Sequence, residues 1–121
     1  MNNEKIEIIN NLNSKYEILM EQLKVIEQQV AELTLFDEEI KIIQENENES
    51  MLAQIGKSVF APVKIGKEGK LLVDVGAGYF IRKSMDEVKA VALEQKHKLE
   101  SFKLQISSDL DNVTEKLQEI I

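Results

Sequence analysis

The chain has no cysteine, no tryptophan, one proline, one histidine and one arginine among its 121 residues. Without cysteine it has neither disulfides nor thiolate chemistry, which fits a reducing compartment. Six aromatic side chains are too few for a thick globular core, and a charged fraction of 31% suits long helices better. The lone His97 falls in EQKHKLE, a solvated helix face, where a surface histidine is the simpler reading than a base or a ligand. No stretch approaches the roughly 20 apolar residues that cross a bilayer. The start MNNEKIEIINN shows no basic region followed by an apolar core, so no signal peptide is expected. These absences predict a soluble, cytoplasmic protein.

Charge of one sign is unevenly spread. Residues 1–49 carry a net −8, residues 50–83 a net +4 and residues 84–121 a net −3. A nucleic-acid-binding protein needs a basic face, and the overall −7 argues against one. The basic middle is explained by lysines guarding solvated strand edges.

The five glycines and the proline all lie between positions 56 and 78, leaving two long segments without a helix breaker. In the first, apolar residues fall at Ile9, Leu12, Tyr16, Leu19, Leu23, Ile26, Val30 and Leu33. Alternating steps of three and four are the heptad pattern of a coiled coil. Phe36, Ile40 and Ile43 follow after an extra three-residue step, which reads as a stammer. A helix from near Asn3 to near Glu47 would be about 65–70 Å long, beyond what a compact domain of this size buries.

The second helix begins at Ser84-Met85-Asp86-Glu87, a capping box in which the Ser84 hydroxyl accepts from the Glu87 backbone N–H and the Glu87 side chain reaches back. Its apolar positions are Val88, Val91 or Ala92, Leu99, Phe102, Ile106, Leu110, Val113, Leu117 and Ile120.

Between the helices the period changes to two. Val59, Ala61, Val63 and Ile65 alternate with Ser58, Pro62 and Lys64, while Leu71, Val73 and Val75 alternate with Leu72 and Asp74. Tyr79, Phe80 and Ile81 are strand formers. Gly56-Lys57 and Gly76-Ala77 fit two-residue hairpin turns, with Gly66 to Gly69 linking the hairpins. The run LLVDVGAGYFIRKS is therefore not a phosphate loop. Such a loop opens a helix directly on its glycines, whereas strand-like residues 78–83 separate these from the Ser84 cap.

The expected architecture is α+β: a long antiparallel coiled coil with two β-hairpins inserted between the helices. It divides into a helix over 1–49, a β module over 50–83 and a helix over 84–121. Four strands with neither face covered by a helix of their own cannot close alone. The hairpins are read as an oligomerisation module, joining an inter-subunit β-barrel through Val59, Ala61, Val63, Ile65, Leu71, Val73, Val75, Tyr79 and Ile81. Gly56, Gly76 and Gly78 serve the turns. At the other end of the coil, antiparallel pairing gathers Ile6, Ile8, Ile9 and Leu12 with Leu117, Ile120 and Ile121. Adjacent isoleucines exceed what one two-stranded seam covers, so this end is read as a surface for non-native chains. The bland alternative makes them seam residues at frayed ends.

At this point the chain resembles the α-type subunit of prefoldin, the jellyfish-shaped hexameric chaperone of archaea and eukaryotes. LLVDVGAGYFIRKSMDEVK, MLAQIGKSVFAPV and EQKHKLE carry the resemblance, and two hairpins rather than one mark the α-type. Ala53-Gln54 stands where the family usually has an apolar residue and proline, Lys57 replaces a small turn residue, and the linker between the hairpins is short. The resemblance implies two α-type and four β-type subunits whose hairpins build a double β-barrel platform with six projecting coils. It also implies non-native polypeptides held at the coil tips without ATP and passed to a group II chaperonin. No enzyme activity, cofactor, metal, nucleic acid or membrane partner is expected. The rival reading is a structural coiled-coil protein, a homo-oligomer or filament without client binding.

Overall fold

The structure, a computed structural model, describes residues 2–66 and 68–121. Its elements are α1 (Asn3–Glu45), β1 (Met51–Gly56), β2 (Val59–Val63), β3 (Lys70–Gly76), β4 (Tyr79–Ser84) and α2 (Met85–Ile120). Two long helices thus flank two hairpins, the architecture the periodicities predict. Spatially the chain forms two compact units, Met1–Thr34 with Gln95–Ile121, and Leu35–Glu94.

The first unit is an antiparallel helix pair. Asn2 caps α1, its Oδ1 accepting from the Lys5 backbone N–H at 2.8 Å. The heptad residues turn inward: Leu12 is buried, and Ile9, Leu19, Leu23, Ile26, Val30 and Leu33 are half-buried. From α2, Ile106 and Val113 are buried and Leu99, Leu110, Leu117 and Ile120 half-buried. The direction is set by who meets whom. Leu12 shares a groove with Val113, and Glu27 pairs with Lys103 at 3.5 Å.

Two expected seam residues in this unit lie outside. Tyr16 is exposed, and Phe102 is 60% exposed. A four-residue step overshoots a helical turn by about 40°, so the 102–106–110 ladder winds around α2. Ile106 and Leu110 stay against α1, and the Phe102 ring is displaced to the side.

The second unit holds the end of α1, both hairpins and the start of α2. Its core is Ile40 and Met85, each 3% exposed, with Val88; Ile43, Ile65, Leu71 and Val73 pack against them. At the expected stammer Phe36 is 38% exposed, the same as the Asp37 side chain, and beyond it Ile40, Ile43 and Gln44 all turn inward. The polar seam residue Gln44 is satisfied across the helices: its Nε2 donates to Asp86 Oδ1 at 2.9 Å, and Lys89 Nζ donates to its Oε1 at 3.4 Å.

The expected capping box is present. The Ser84 backbone N–H donates to Glu87 Oε1, and the Glu87 backbone N–H donates to Ser84 Oγ, both at 3.1 Å. This reciprocal pair ends β4 and starts α2 without an irregular residue between them.

Each hairpin is its own two-stranded antiparallel sheet. In the first, Met51 pairs with Val63, Leu52 with Pro62, Ala53 with Ala61 and Gln54 with Phe60. In the second, Leu71 pairs with Lys83, Leu72 with Arg82, Val73 with Ile81 and Asp74 with Phe80. The turns sit one residue later than expected. Gly56 pairs with Val59 and Gly76 with Tyr79, so the two-residue loops are Lys57-Ser58 and Ala77-Gly78. Their φ angles are positive throughout, 46° and 65° in the first and 52° and 79° in the second, as a type I′ turn requires. Gly56 and Gly76 end their strands at φ 135° and 103°, beside a register shift in each ladder that reads as a bulge. Asp74 braces the second bend, its Oδ1 accepting from the Gly76 N–H at 2.9 Å.

Candidate functional site

The β3–β4 hairpin has two different faces. Leu71 and Val73 point to the helix ends and are half-buried against the Ile40–Met85–Val88 core. One hairpin face is therefore covered by the chain's own helices, which corrects the expectation that neither was. The helix ends are long enough to reach under the strands because Ile40 lies well before the end of α1 and Met85 opens α2.

The other face is open and mixed, with Leu72 and Phe80 among Lys70, Asp74 and Arg82. Leu72, opposite Arg82, is 65% exposed, and Phe80, opposite Asp74, is also exposed. Around the turn Val75 and Tyr79 are exposed too, and so is Ile81, which lies opposite Val73 on the face turned to the helix ends. On the first hairpin Leu52, Ile55, Val59, Phe60 and Val63 are exposed, with Ala61 half-buried. Exposed apolar side chains on both hairpins, next to strands with an unpaired edge, form a surface built to be covered.

Of the nine residues read as the oligomerisation set, Ile65, Leu71 and Val73 serve the internal core, and Val59, Val63, Val75, Tyr79 and Ile81 lie exposed. Leu52, Ile55, Phe60, Leu72 and Phe80 are exposed beyond that set. Leu72 and Phe60 are apolar at the polar beats of alternating strands, and a large apolar side chain there marks a second face with something to cover.

The residues read as a client surface lie in the first unit and differ in exposure. Ile6 and Ile8 are exposed, Ile121 is 90% exposed, and Ile9, Leu117 and Ile120 are half-buried. Leu12 is buried in the seam. An apolar groove of about 550 Å³ runs further along the same unit, with Ile18, Val25 and Phe102 on its walls and Ile26 and Ile106 at its base. Ile18 and Val25 are seven residues apart on α1 and so share a stripe.

Electrostatics at these surfaces are mild. Arg82 and Glu68 approach to 3.7 Å with both side chains mostly in solvent. Glu87 is held below the ordinary carboxylate value of 4.5, chiefly by the Ser84 backbone N–H and then by its hydroxyl. Among the described residues no helix is long and apolar enough to cross a membrane.

A model of the prefoldin subunit family matches residues 9–121, from the α1 seam through both hairpins to the end of α2. The chain belongs to the prefoldin family. Prefoldin subunit alpha of Methanoculleus marisnigri is 25% identical over 112 residues, covering 93% of this chain and 75% of that one. The resemblance to α-type prefoldin read from the hairpin motifs is thereby supported. In fold the chain is similar to a filamentous PFD from Methanocaldococcus jannaschii solved by cryo-EM. The TM-score is 0.79 at 18% identity, over 94% of this chain and 95% of that one. Prefoldin is a chaperone family rather than an enzyme family, and membership supports a chaperone-type role with assembly among prefoldin subunits.

Proposed function

We propose that this chain is the α-type subunit of a cytoplasmic prefoldin, an ATP-independent chaperone that holds unfolded proteins and delivers them to a group II chaperonin. In this reading residues 50–83 are the assembly module between two coil segments, 1–49 and 84–121. The hairpins join those of other subunits in a shared β-barrel, two α-type with four β-type chains. The observation that carries the assembly reading is the exposure of Leu72 and Phe80 on the open face of a hairpin already anchored on its other side by Leu71 and Val73. A free chain exposing this much apolar side chain gains roughly 25 cal/mol per Å² when a neighbour covers it.

Client binding is assigned to the coil end: exposed Ile6, Ile8 and Ile121, with half-buried Ile9, Leu117 and Ile120 available on fraying. Leu12 joins them only if the seam opens, because it is buried against α2. Apolar contact is non-directional, so such a surface suits chains of varied sequence. The groove at Ile18, Val25 and Phe102 extends the apolar area along the same helix pair.

The mass and subunit composition of the complex isolated with its natural partners tests the proposal. A mixed assembly with β-type subunits supports it. A homopolymer favours the second reading, a structural filament or homo-oligomer without clients, for which the likeness to a filamentous PFD speaks.

A further inference from the structure

Two cavities in the helix pair of the first unit share Ile18 and Gln22 in their walls. The first, about 550 Å³, is walled by Ile18, Val25, Ile26, Phe102 and Ile106, and its surface is almost wholly apolar. The second, about 330 Å³, has a more polar wall that includes Lys15 and Lys116. Together they make one groove with an apolar end and a cationic end. Both volumes fall within the range of small-ligand sites, roughly 300–1,000 Å³.

The apolar end is not explained by the seam. Ile106 is buried and Ile26 half-buried, so these two serve helix pairing, whereas Ile18, Val25 and Phe102 are exposed. The flank of a coil outside its seam is ordinarily polar. Three large apolar side chains converging there on one concave surface have something else to cover.

The cationic end is available. Lys15 comes from α1 and Lys116 from α2, and among the described residues neither is ion-paired. Asp109 is the acid lining this cavity, and its Oδ1 already accepts from Gln105 Nε2 at 3.0 Å. Glu21 lines the apolar cavity and disfavours a second negative charge there, so a ligand with charge at one end only is selected.

The geometry points to a binding site for a single-chain anionic amphiphile, its hydrocarbon chain along Ile18, Val25 and Phe102 and its head at Lys15 and Lys116. At about 1.5 Å per residue the run from Lys15 to Val25 is roughly 15 Å, a length that an extended alkyl chain spans. Such a chain brings no polar group that an apolar wall would leave without a partner. The site does not rest on the chaperone reading, and it is distinct from the coil-end residues Ile6, Ile8 and Ile121.

Calorimetric titration of the native complex with laurate, below its micelle concentration, tests the site. Methyl NMR of Ile18, Val25 and Ile106 locates it, and saturable binding with shifts at these methyls is expected. Dodecyltrimethylammonium, the same chain with a cationic head, should bind about tenfold more weakly or worse, and equal binding overturns the proposal. Lys15→Ala with Lys116→Ala, at two exposed positions, should weaken laurate by about tenfold with helical circular dichroism unchanged. Phe102→Ser should weaken laurate and the cationic probe alike. Dodecyl phosphate is the second anionic probe, and whichever of the two binds tighter names the head, carboxylate or phosphate. No saturable binding by either, or shifts confined to Ile6, Ile8 and Ile121, overturns the inference. Neither result touches the chaperone reading, which is measured separately as suppression of aggregation of a denatured protein.

Discussion

The Gln44 side chain reaches from the last turn of α1 to Asp86 in the first turn of α2, its Nε2 2.9 Å from Asp86 Oδ1. Lys89 donates to the same amide from the next turn of α2, at 3.4 Å. A polar residue in a heptad position specifies which residues meet, at some cost in stability. Here it fixes the level at which Ile40 faces Met85 and Val88, and so where the hairpin base sits on the helix ends. Gln44→Leu should keep or slightly raise the melting temperature but loosen the pairing, seen as broadened side-chain NMR signals for Met85 and Val88. Sharp signals at unchanged shifts would contradict this role.

Met85 and Ile40 carry the core beneath the hairpins. Truncating either to alanine leaves a cavity, with an expected loss of about 2–5 kcal/mol in denaturant unfolding. Leu104→Ala, at a side chain 73% exposed, should change stability by less than about 0.5 kcal/mol. Equal effects at the two kinds of site would argue against the described core.

The Ser84–Glu87 box gives a pH dependence with a defined sign. The folded-state value of Glu87 lies below the ordinary 4.5, so the stabilisation is complete above about that pH. It is lost as pH falls through the lowered value, because protonation removes the acceptor held by the Ser84 N–H. Glu87→Gln should flatten this part of the stability–pH curve, and an NMR titration of the Glu87 carboxyl should show the lowered midpoint. Ser84→Ala is expected to cost about 1 kcal/mol at neutral pH.

The first turn is built from the wrong residues for its geometry. Lys57 and Ser58 both hold positive φ, where a side chain is strained. Ser58→Gly should stabilise the hairpin by up to about 1 kcal/mol, read as a higher melting temperature with no change in assembly mass. The second turn already has Gly78 in that place.

Surface substitutions separate assembly from client holding. Leu72→Ser with Phe80→Ser should reduce the mass of the complex while the free chain keeps its helical circular dichroism. Replacing Ile6, Ile9 and Ile120 by Ser should leave the mass intact and lower suppression of aggregation of a denatured protein. Full activity in an intact assembly would remove these residues from the client surface.

Helix, two hairpins, helix was legible in the amino-acid order because periodicity and punctuation are local properties. Heptad steps need only 3.6 residues per turn, strand alternation needs only the pleat, and the Ser84 cap closes on Glu87 three residues away. The assembly surface was legible only in part. Leu71 and Leu72 are adjacent leucines with the same transfer energy, yet one packs on Ile40 and Met85 while the other faces solvent. That division is made by helix ends that meet the strand from either side of it in sequence, Ile40 before and Met85 after, and the inward Gln44 is likewise set by its partner helix. The turn positions slipped by one residue for a related reason: a bulge changes the register of a whole ladder, and its cost depends on the cross-strand pairs it brings together.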